Sequence, residues 1–284
     1  MSEVLLQDNL HIYSSLGEKV ENLKNSTVLV TGSRGFLGKT ICSFLGFLNQ
    51  KKFNKKEQIK IIEIDYQDND ICNPLNETIQ EGRVDYIINC AGIASPKKYL
   101  KAPLKTLDVS YLGTKNVLET LCYVYHNSYK VPVNVLRPFN LYGPLMDISD
   151  GRIIPNICKA IMEGKDFSVY GTGEQTRTYC YVTDAIVYFF EILFSQKFGE
   201  IYNVGSEGEE LSALEIAEKS YSIIKPENSQ YFIKPYPDEY PNNEPQRRCP
   251  DISKVKREFG YSPKYTFNKG LLSCYTFFVS IDKK

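Results

Sequence analysis

The sequence predicts an α/β protein in which a doubly wound parallel sheet carries a smaller C-terminal lobe. β-branched and helical segments alternate through the first half of the chain, as they do in parallel sheets covered by helices on both faces. A glycine-rich turn joins the first strand to the first helix. After residue 138 the pattern changes to short helices and loops rich in Gly, Pro and Tyr, which indicates the second lobe.

The glycine-rich turn has the spacing G-x-x-G-x-x-G between an apolar strand and an apolar helix. In a dinucleotide site one glycine makes the tight turn, another lets the backbone approach the pyrophosphate, and the third lets helix and strand pack closely. The helix N-terminus adds free N–H groups and the positive end of its dipole. The residues of this predicted cofactor site are Gly32, Gly35, Phe36, Leu37 and Gly38.

An acidic partner is expected at the end of the next strand. Asp65 ends the run 60–65, and its carboxylate could hold both ribose hydroxyls of NAD and repel the 2′-phosphate of NADP. The alternative is an ordinary polar strand end. Asp70 is a second candidate near the adenine, and Ala91 and Gly92, after the next buried strand, are assigned to the same NAD site.

The remaining elements follow from hydrophobic periodicity. The predicted strands are 27–31, 60–64, 84–89, 131–136 and 201–204. The predicted helices are 36–49, 74–81 and 103–127, preceded by a helical prefix within 1–25. Because the last strand is expected to return to the sheet, the NAD-binding domain comprises 1–138 with 179–204, and 139–284 is mainly the smaller, loop-rich lobe, which is expected to close over a ligand.

Composition excludes several classes of partner. The 284 residues have a formal net charge of zero, so we expect neither a nucleic acid nor a membrane as partner. No apolar run reaches the ~18 residues of a membrane span. Eight cysteines without a C-x-x-C pair indicate reduced thiols and a cytoplasmic location, and two histidines make a transition-metal site unexpected, so no metal ligand is assigned.

Several segments, in order along the chain, resemble the extended short-chain dehydrogenase/reductase family, which carries a Rossmann-like domain and modifies nucleotide sugars. The closest likeness is to UDP-glucuronate decarboxylases and dTDP-glucose 4,6-dehydratases. The matching segments are 31–38, 94–99, 113–116, 137–144, 150–156, 169–177, 181–184 and 245–251.

The resemblance implies that NAD oxidises a sugar at C4 and later returns the hydride. It also implies a substrate site in which Asn140 contacts the nucleotide sugar, Arg177 clamps the diphosphate, and Arg247 or Arg248 makes a second contact. The alternatives are a turn cap for Asn140 and a solvated surface for the last two arginines. The residues assigned to this site are Ser95, Tyr99, Asn140, Asn156, Tyr170, Arg177 and Arg247.

The chain departs from the family where catalysis is expected. The family places a Ser or Thr and a Tyr-x-x-x-Lys helix between the segments 113–116 and 137–140, but only 20 residues separate Asn116 from Arg137. One crossover alone needs at least ~10–12 residues. The chain therefore reads as though some dozens of residues were missing, with two helices fused and one sheet strand lost. We assign no catalytic residue.

Two other Tyr-x-x-x-Lys matches, Tyr111 with Lys115 and Tyr221 with Lys225, are expected by chance among 21 tyrosines. Three hypotheses stay open: a nucleotide-sugar enzyme with impaired catalysis, a non-catalytic NAD or nucleotide-sugar binding protein, and an incomplete gene product of an active enzyme. The particular sugar is not fixed by any residue. A homodimer is implied only by the family, which commonly dimerises through the two helices that are fused here.

Overall fold

The computed structural model describes residues 2–65, 84–92, 126–236 and 245–282. Its α-helices are α1 (Glu3–Leu16), α2 (Phe36–Lys51), α3 (Ile153–Met162), α4 (Val182–Leu193), α5 (Ala213–Ile224), α6 (Ser253–Phe259) and α7 (Phe267–Asp282). Its strands are β1 (Thr27–Thr31), β2 (Lys60–Ile64), β3 (Tyr86–Asn89), β4 (Val135–Pro138), β5 (Leu141–Tyr142), β6 (Phe167–Tyr170), β7 (Thr176–Thr178), β8 (Cys180–Tyr181), β9 (Ile201–Val204), β10 (Glu210–Ser212), β11 (Tyr231–Lys234) and β12 (Arg247–Arg248).

Three parallel strands, in the order β2–β1–β3, form the sheet that ends in the glycine turn. The central strand β1 is apolar and buried, as expected for a parallel strand covered on both faces. Thr31 lies opposite Ile64 of β2 and Asn89 of β3, so the carboxyl ends of the three strands meet at one edge. The predicted strands 27–31 and 60–64 are confirmed.

The predicted strand 201–204 is confirmed as β9, which pairs in parallel with β4 in a two-stranded sheet separate from β2–β1–β3. Its return to the main sheet stays a prediction. The paired segment of β4 begins at Val135, later than the predicted 131. Pro132 has no N–H to donate, and the side chain of Asn134 bonds to the Lys197 carbonyl and the Glu200 N–H, next to one main-chain bond from the Gly199 N–H to the Val133 carbonyl at 2.7 Å. The ladder therefore starts where β9 begins.

Within the described ranges, β3 and β4 are not paired with each other, and the side chain of Ile87 in β3 is 62% exposed. A central strand of a continuous doubly wound sheet is expected to be buried on both faces. Residues 93–125, which connect β3 to β4, lie outside the described residues, so the loss of one strand between them stays a prediction. The predicted helix 74–81 and most of 103–127 lie outside the described residues.

Two hydrophobic clusters hold the chain together. The first joins α1, α2 and α4 to the central sheet, and the second joins α3, α5 and α7, with Phe36 packed against both. The aromatic side chains of Tyr181, Tyr188 and Phe190 are buried. The division into domains at residue 138 stays a prediction.

None of the helices in the described ranges is long and apolar enough to cross a membrane. The six cysteines in these ranges are free thiols. No group of three or more His, Cys, Asp or Glu side chains that could hold a metal ion occurs in the same part of the chain.

Candidate functional site

The glycine turn depends on close backbone contacts. Gly32 has a φ of +64°, and a Cβ there would lie 2.7 Å from the main-chain carbonyl carbon of Cys90. A Cβ on Gly38 would lie 2.2 Å from the Gly32 oxygen, so α2 packs directly on the turn. A Cβ on Gly35, the N-cap of α2, would meet only that oxygen, at 3.1 Å. The outer glycines therefore maintain the fold, and the middle one keeps the helix N-terminus open.

Asp65 lies beside this turn. Its buried carboxylate accepts the Arg34 N–H at 3.1 Å, so β2 ends against the loop that begins α2. Phe36 and Leu37 open α2, and their side chains pack against the first cluster. Asp70 lies outside the described residues. The structure thus brings together six of the seven predicted residues from the turn and the β2 end.

The carboxyl end of β3 is tied to β1 by Asn89. Its Oδ1 accepts the Thr31 hydroxyl at 2.5 Å and the Ala91 N–H at 3.2 Å. A Cβ on Gly92 would meet nothing within 4 Å. Burial raises the pKa of the Cys90 thiol to about 12, so this cysteine is not a thiolate nucleophile at neutral pH. Sequence reasoning missed Asn89 and Thr31, although both are polar residues that end apolar strands.

Asn140 follows β4 with a φ of +45°, and its side-chain amide links two strands of the lobe. The Nδ2 group donates to the Thr178 carbonyl at 2.8 Å and to the Arg248 carbonyl at 3.0 Å. Both amide hydrogens are therefore used within the protein, and the Oδ1 atom is the group suited to accept from a ligand. Asn156, in α3, donates from Nδ2 to the Gly151 carbonyl at 2.9 Å.

The predicted arginines lie on a three-stranded sheet in the order β10–β7–β12. Arg177 of β7 is buried and lies directly opposite Arg248 of β12. Arg247 forms a two-pronged ion pair with Glu210 of β10, with Nε to Oε1 at 2.9 Å and Nη2 to Oε2 at 2.8 Å. The geometry favours Arg248, rather than Arg247, as the neighbour of Arg177.

A cavity of about 640 Å³ opens at the end of β6. Tyr170 stacks on Tyr236 next to it, with ring centroids 6.4 Å apart. The cavity is lined by Gly171, Thr172, Gln175, Ile233, Lys234, Pro235, Tyr236 and Gln246. The predicted site residues Ser95 and Tyr99 lie outside the described residues.

Tyr221 does not have the environment of a catalytic base. Its hydroxyl donates to the Gln230 carbonyl at 2.9 Å and bonds to the Ser229 hydroxyl at 2.7 Å. Burial raises the pKa of Tyr221 above 10, whereas a tyrosinate base needs a lowered pKa. The other match, Tyr111 with Lys115, lies outside the described residues.

An open α/β sheet with a glycine turn against an acidic strand end defines a protein of the dinucleotide-binding class. This chain belongs to the NAD dependent epimerase/dehydratase family, whose model matches residues 28–123 and 109–205. The predicted family resemblance is therefore confirmed.

Curated relatives include UDP-glucuronic acid decarboxylases. UDP-glucuronic acid decarboxylase 6 of Arabidopsis thaliana is 27% identical to this chain, in an alignment that covers 87% of each protein. UDP-glucuronic acid decarboxylase 1 of Xenopus tropicalis is 26% identical to this chain, in an alignment that covers 92% of this chain and 78% of the relative.

Solved structures show the same fold. An epimerase from Methanothermobacter thermautotrophicus superposes with a TM-score of 0.74 at 19% identity, over 95% of this chain and 97% of its own. UDP-glucuronic acid 4-epimerase from Bacillus cereus, solved with UDP-glucuronic acid and NAD, has a TM-score of 0.68 at 22% identity, over 90% of this chain and all of its own.

The comparisons also concern the interval between Asn116 and Arg137, where the sequence predicts missing residues. The two family matches share residues 109–123, so one stretch of this chain corresponds to two parts of the family pattern. The alignment with the Arabidopsis relative spans 310 residues, but 87% of this chain is about 247 residues. In total, about 60 aligned positions therefore face gaps in this chain. The loss of a block of some dozens of residues between Asn116 and Arg137 stays a prediction.

Proposed function

We propose that this chain binds NAD and a nucleoside diphosphate sugar of the UDP-glucuronate type. It descends from an enzyme that decarboxylates, dehydrates or epimerises such sugars, and it lacks the family's acid–base set. The pairing of Arg177 with Arg248 carries the proposal, because residues in register on neighbouring strands share a face of the sheet, and two arginines on one face suit a diphosphate. Arg177 Nη1 also donates to the Thr176 carbonyl at 2.8 Å. The names of the relatives support uridine as the base.

The NAD part of the proposal rests on the turn. Gly35 leaves room for a pyrophosphate at the N-terminus of α2, and Asp65 lies next to it with a carboxylate that can accept two ribose hydroxyls. When bound, NAD supplies hydride acceptance and return at the sugar. The protein's own part is to bind the dinucleotide and to keep the β1 and β3 ends in place through Thr31 and Asn89.

The nucleotide-sugar part rests on the lobe. Arg177 and Arg248 would hold the diphosphate, and the Oδ1 atom of Asn140 is available to accept from the ligand. The cavity beside Tyr170 is large enough for a nucleoside and offers an aromatic face for its base. Asn156, Ser95, Tyr99 and Arg247 stay predictions for this site.

The second candidate is a non-catalytic binding protein. The observation that favours it is that the two family matches overlap in 109–123, where the family resemblance places the catalytic Ser or Thr and Tyr-x-x-x-Lys. An incomplete product of an active gene explains the same overlap. Reading the encoding nucleic acid through the codons for residues 116–125 separates these two.

Calorimetry on the folded chain tests the binding proposal. We expect heat of binding with millimolar NAD, and separately with UDP and UDP-glucuronate. Absence of either signal from a protein with a cooperative melting transition would refute the proposal.

A further inference from the structure

The strand that carries Arg248 has little backbone support of its own. β12 consists of Arg247 and Arg248, paired in parallel with Thr176 and Arg177 of β7. One further main-chain bond, from the Thr176 N–H to the Gln246 carbonyl at 2.8 Å, extends this pairing. A two-residue strand at the edge of a sheet needs side-chain contacts to fix its position.

Glu210 provides those contacts. Its carboxylate accepts Arg247 Nε at 2.9 Å and Arg247 Nη2 at 2.8 Å, and it also accepts the Thr176 hydroxyl at 2.5 Å. One side chain on β10 thereby joins β7 and β12. The bond from Arg247, followed by the bond from Thr176, lowers the pKa of Glu210 to about 2, so the carboxylate is ionised throughout the physiological range.

Alternation along a strand sets what lies on the other face. Successive side chains point to opposite faces, so with Arg247 directed to Glu210, Arg248 is directed to the face of Arg177 and Leu211. The Arg248 carbonyl also accepts the Asn140 amide at 3.0 Å. The Glu210–Arg247 pair therefore fixes the rotation of β12 that brings two cations side by side.

We propose that Glu210 is a positioning residue for anion binding: by holding Arg247, it presents Arg248 next to Arg177 as a site for the diphosphate of a nucleoside diphosphate sugar. This inference rests on the proposed function. Glu210 does not touch the ligand, and a carboxylate that did so would repel it. Its contribution to binding is therefore indirect.

The test compares UDP with uridine by calorimetry on the full chain. For Glu210→Gln we expect affinity for UDP to fall about fivefold, the scale of one exposed charge pair, while affinity for uridine stays unchanged. A merely structural role would weaken both ligands equally. Glu209→Gln is the matched control, because Glu209 is the adjacent carboxylate and pairs with Lys219 at 2.9 Å instead; it should bind UDP as the unmutated chain does.

Two further variants keep the test decisive. Arg247→Gln added to Glu210→Gln should cause no additional loss, since both act through one pair. Thr176→Val keeps the side-chain shape and the charge and removes one contact to the Glu210 carboxylate. It should therefore also lower the affinity for UDP, even if Glu210→Gln fails to fold.

Unchanged UDP affinity in Glu210→Gln, with a loss of affinity in Arg248→Ala, overturns the role of Glu210 alone. Absence of UDP binding in the unmutated chain overturns the proposed function as well.

Discussion

Asp8 of the N-terminal helix and Tyr181 at the start of α4 share a buried hydrogen bond, in which the Tyr181 hydroxyl donates to the carboxylate at 2.9 Å. The Tyr265 hydroxyl donates to the same carboxylate at 3.2 Å. This contact joins α1, whose Ile12 and Leu16 lie in the first hydrophobic cluster, to the second cluster, which contains Tyr181. Burial raises the pKa of Asp8 from 3.8 to about 6, against the two tyrosine bonds, which lower it.

The raised pKa of Asp8 predicts a pH dependence of stability. Between about pH 4 and pH 6 the folded protein keeps a proton that the unfolded chain has released, so the free energy of unfolding falls as pH rises through this window. Asp8→Asn should remove that fall and raise the free energy of unfolding at pH 7 by on the order of 2 kcal/mol. Urea titrations at pH 4 and pH 7 measure it; an unchanged pH profile would contradict the prediction.

The pKa of Asp184 is shifted in the direction opposite to that of Asp8. Although burial opposes it, hydrogen bonds from His11, the Tyr261 hydroxyl and the N–H groups of Lys264 and Tyr265 lower the pKa of Asp184. Its stabilising contribution is present above the pKa of the unfolded chain and is lost as pH falls through the lowered value. Asp184→Asn should therefore destabilise the protein at pH 7, and a gain in urea midpoint would show that the network is misassigned.

The glycine turn predicts that fold and ligand binding can be separated. Gly35→Val should lower the melting temperature modestly, because a Cβ there lies 3.1 Å from the Gly32 oxygen and valine is a poor N-cap, yet it should abolish NAD binding in the folded protein by blocking the pyrophosphate. Calorimetry with NAD is the measurement. Gly35→Val that binds NAD normally would place the dinucleotide elsewhere.

Gly46→Ala in the same helix is the control. A Cβ there meets nothing within 4 Å, so we expect unchanged NAD affinity and a gain of about 0.5–1 kcal/mol in stability. Gly38→Ala should instead prevent folding, because its Cβ would lie 2.2 Å from the Gly32 oxygen.

The paired arginines predict an ordered series of affinities. Arg177→Ala should weaken UDP-glucuronate binding by roughly 2–3 kcal/mol, the scale of a charge-assisted contact. Arg248→Ala should also weaken it, and by more than Arg247→Ala, because Arg247 is held by Glu210 and acts only through the position of β12. The shift in melting temperature on adding UDP-glucuronate reports all three; a larger loss in Arg247→Ala would restore the assignment made from sequence.

Local patterns explain which features the sequence could predict. Strands 27–31, 60–64 and 201–204 are short apolar runs next to turn residues, and the glycines have roles set by their immediate neighbours. The Glu210–Arg247 pair joins residues 37 positions apart, and no periodicity marks it. Neither does any pattern reveal that Asn140 directs its amide to two main-chain carbonyls. Contacts set by tertiary pairing, rather than by the local chain, were therefore missed.

The central claim is that the chain binds NAD and a nucleotide sugar but does not turn the sugar over. General acid–base help is typically worth ~10²–10⁴ in rate, and loss of the positioning hydroxyl and of the lysine should compound that loss. The most direct measurement is product analysis by mass spectrometry after long incubation with NAD and UDP-glucuronate, dTDP-glucose or UDP-glucose. The account predicts no decarboxylated, dehydrated or epimerised product from protein that binds the nucleotide. Turnover that disappears in Tyr111→Phe and persists in Tyr221→Phe would contradict it and identify Tyr111 with Lys115 as the catalytic pair.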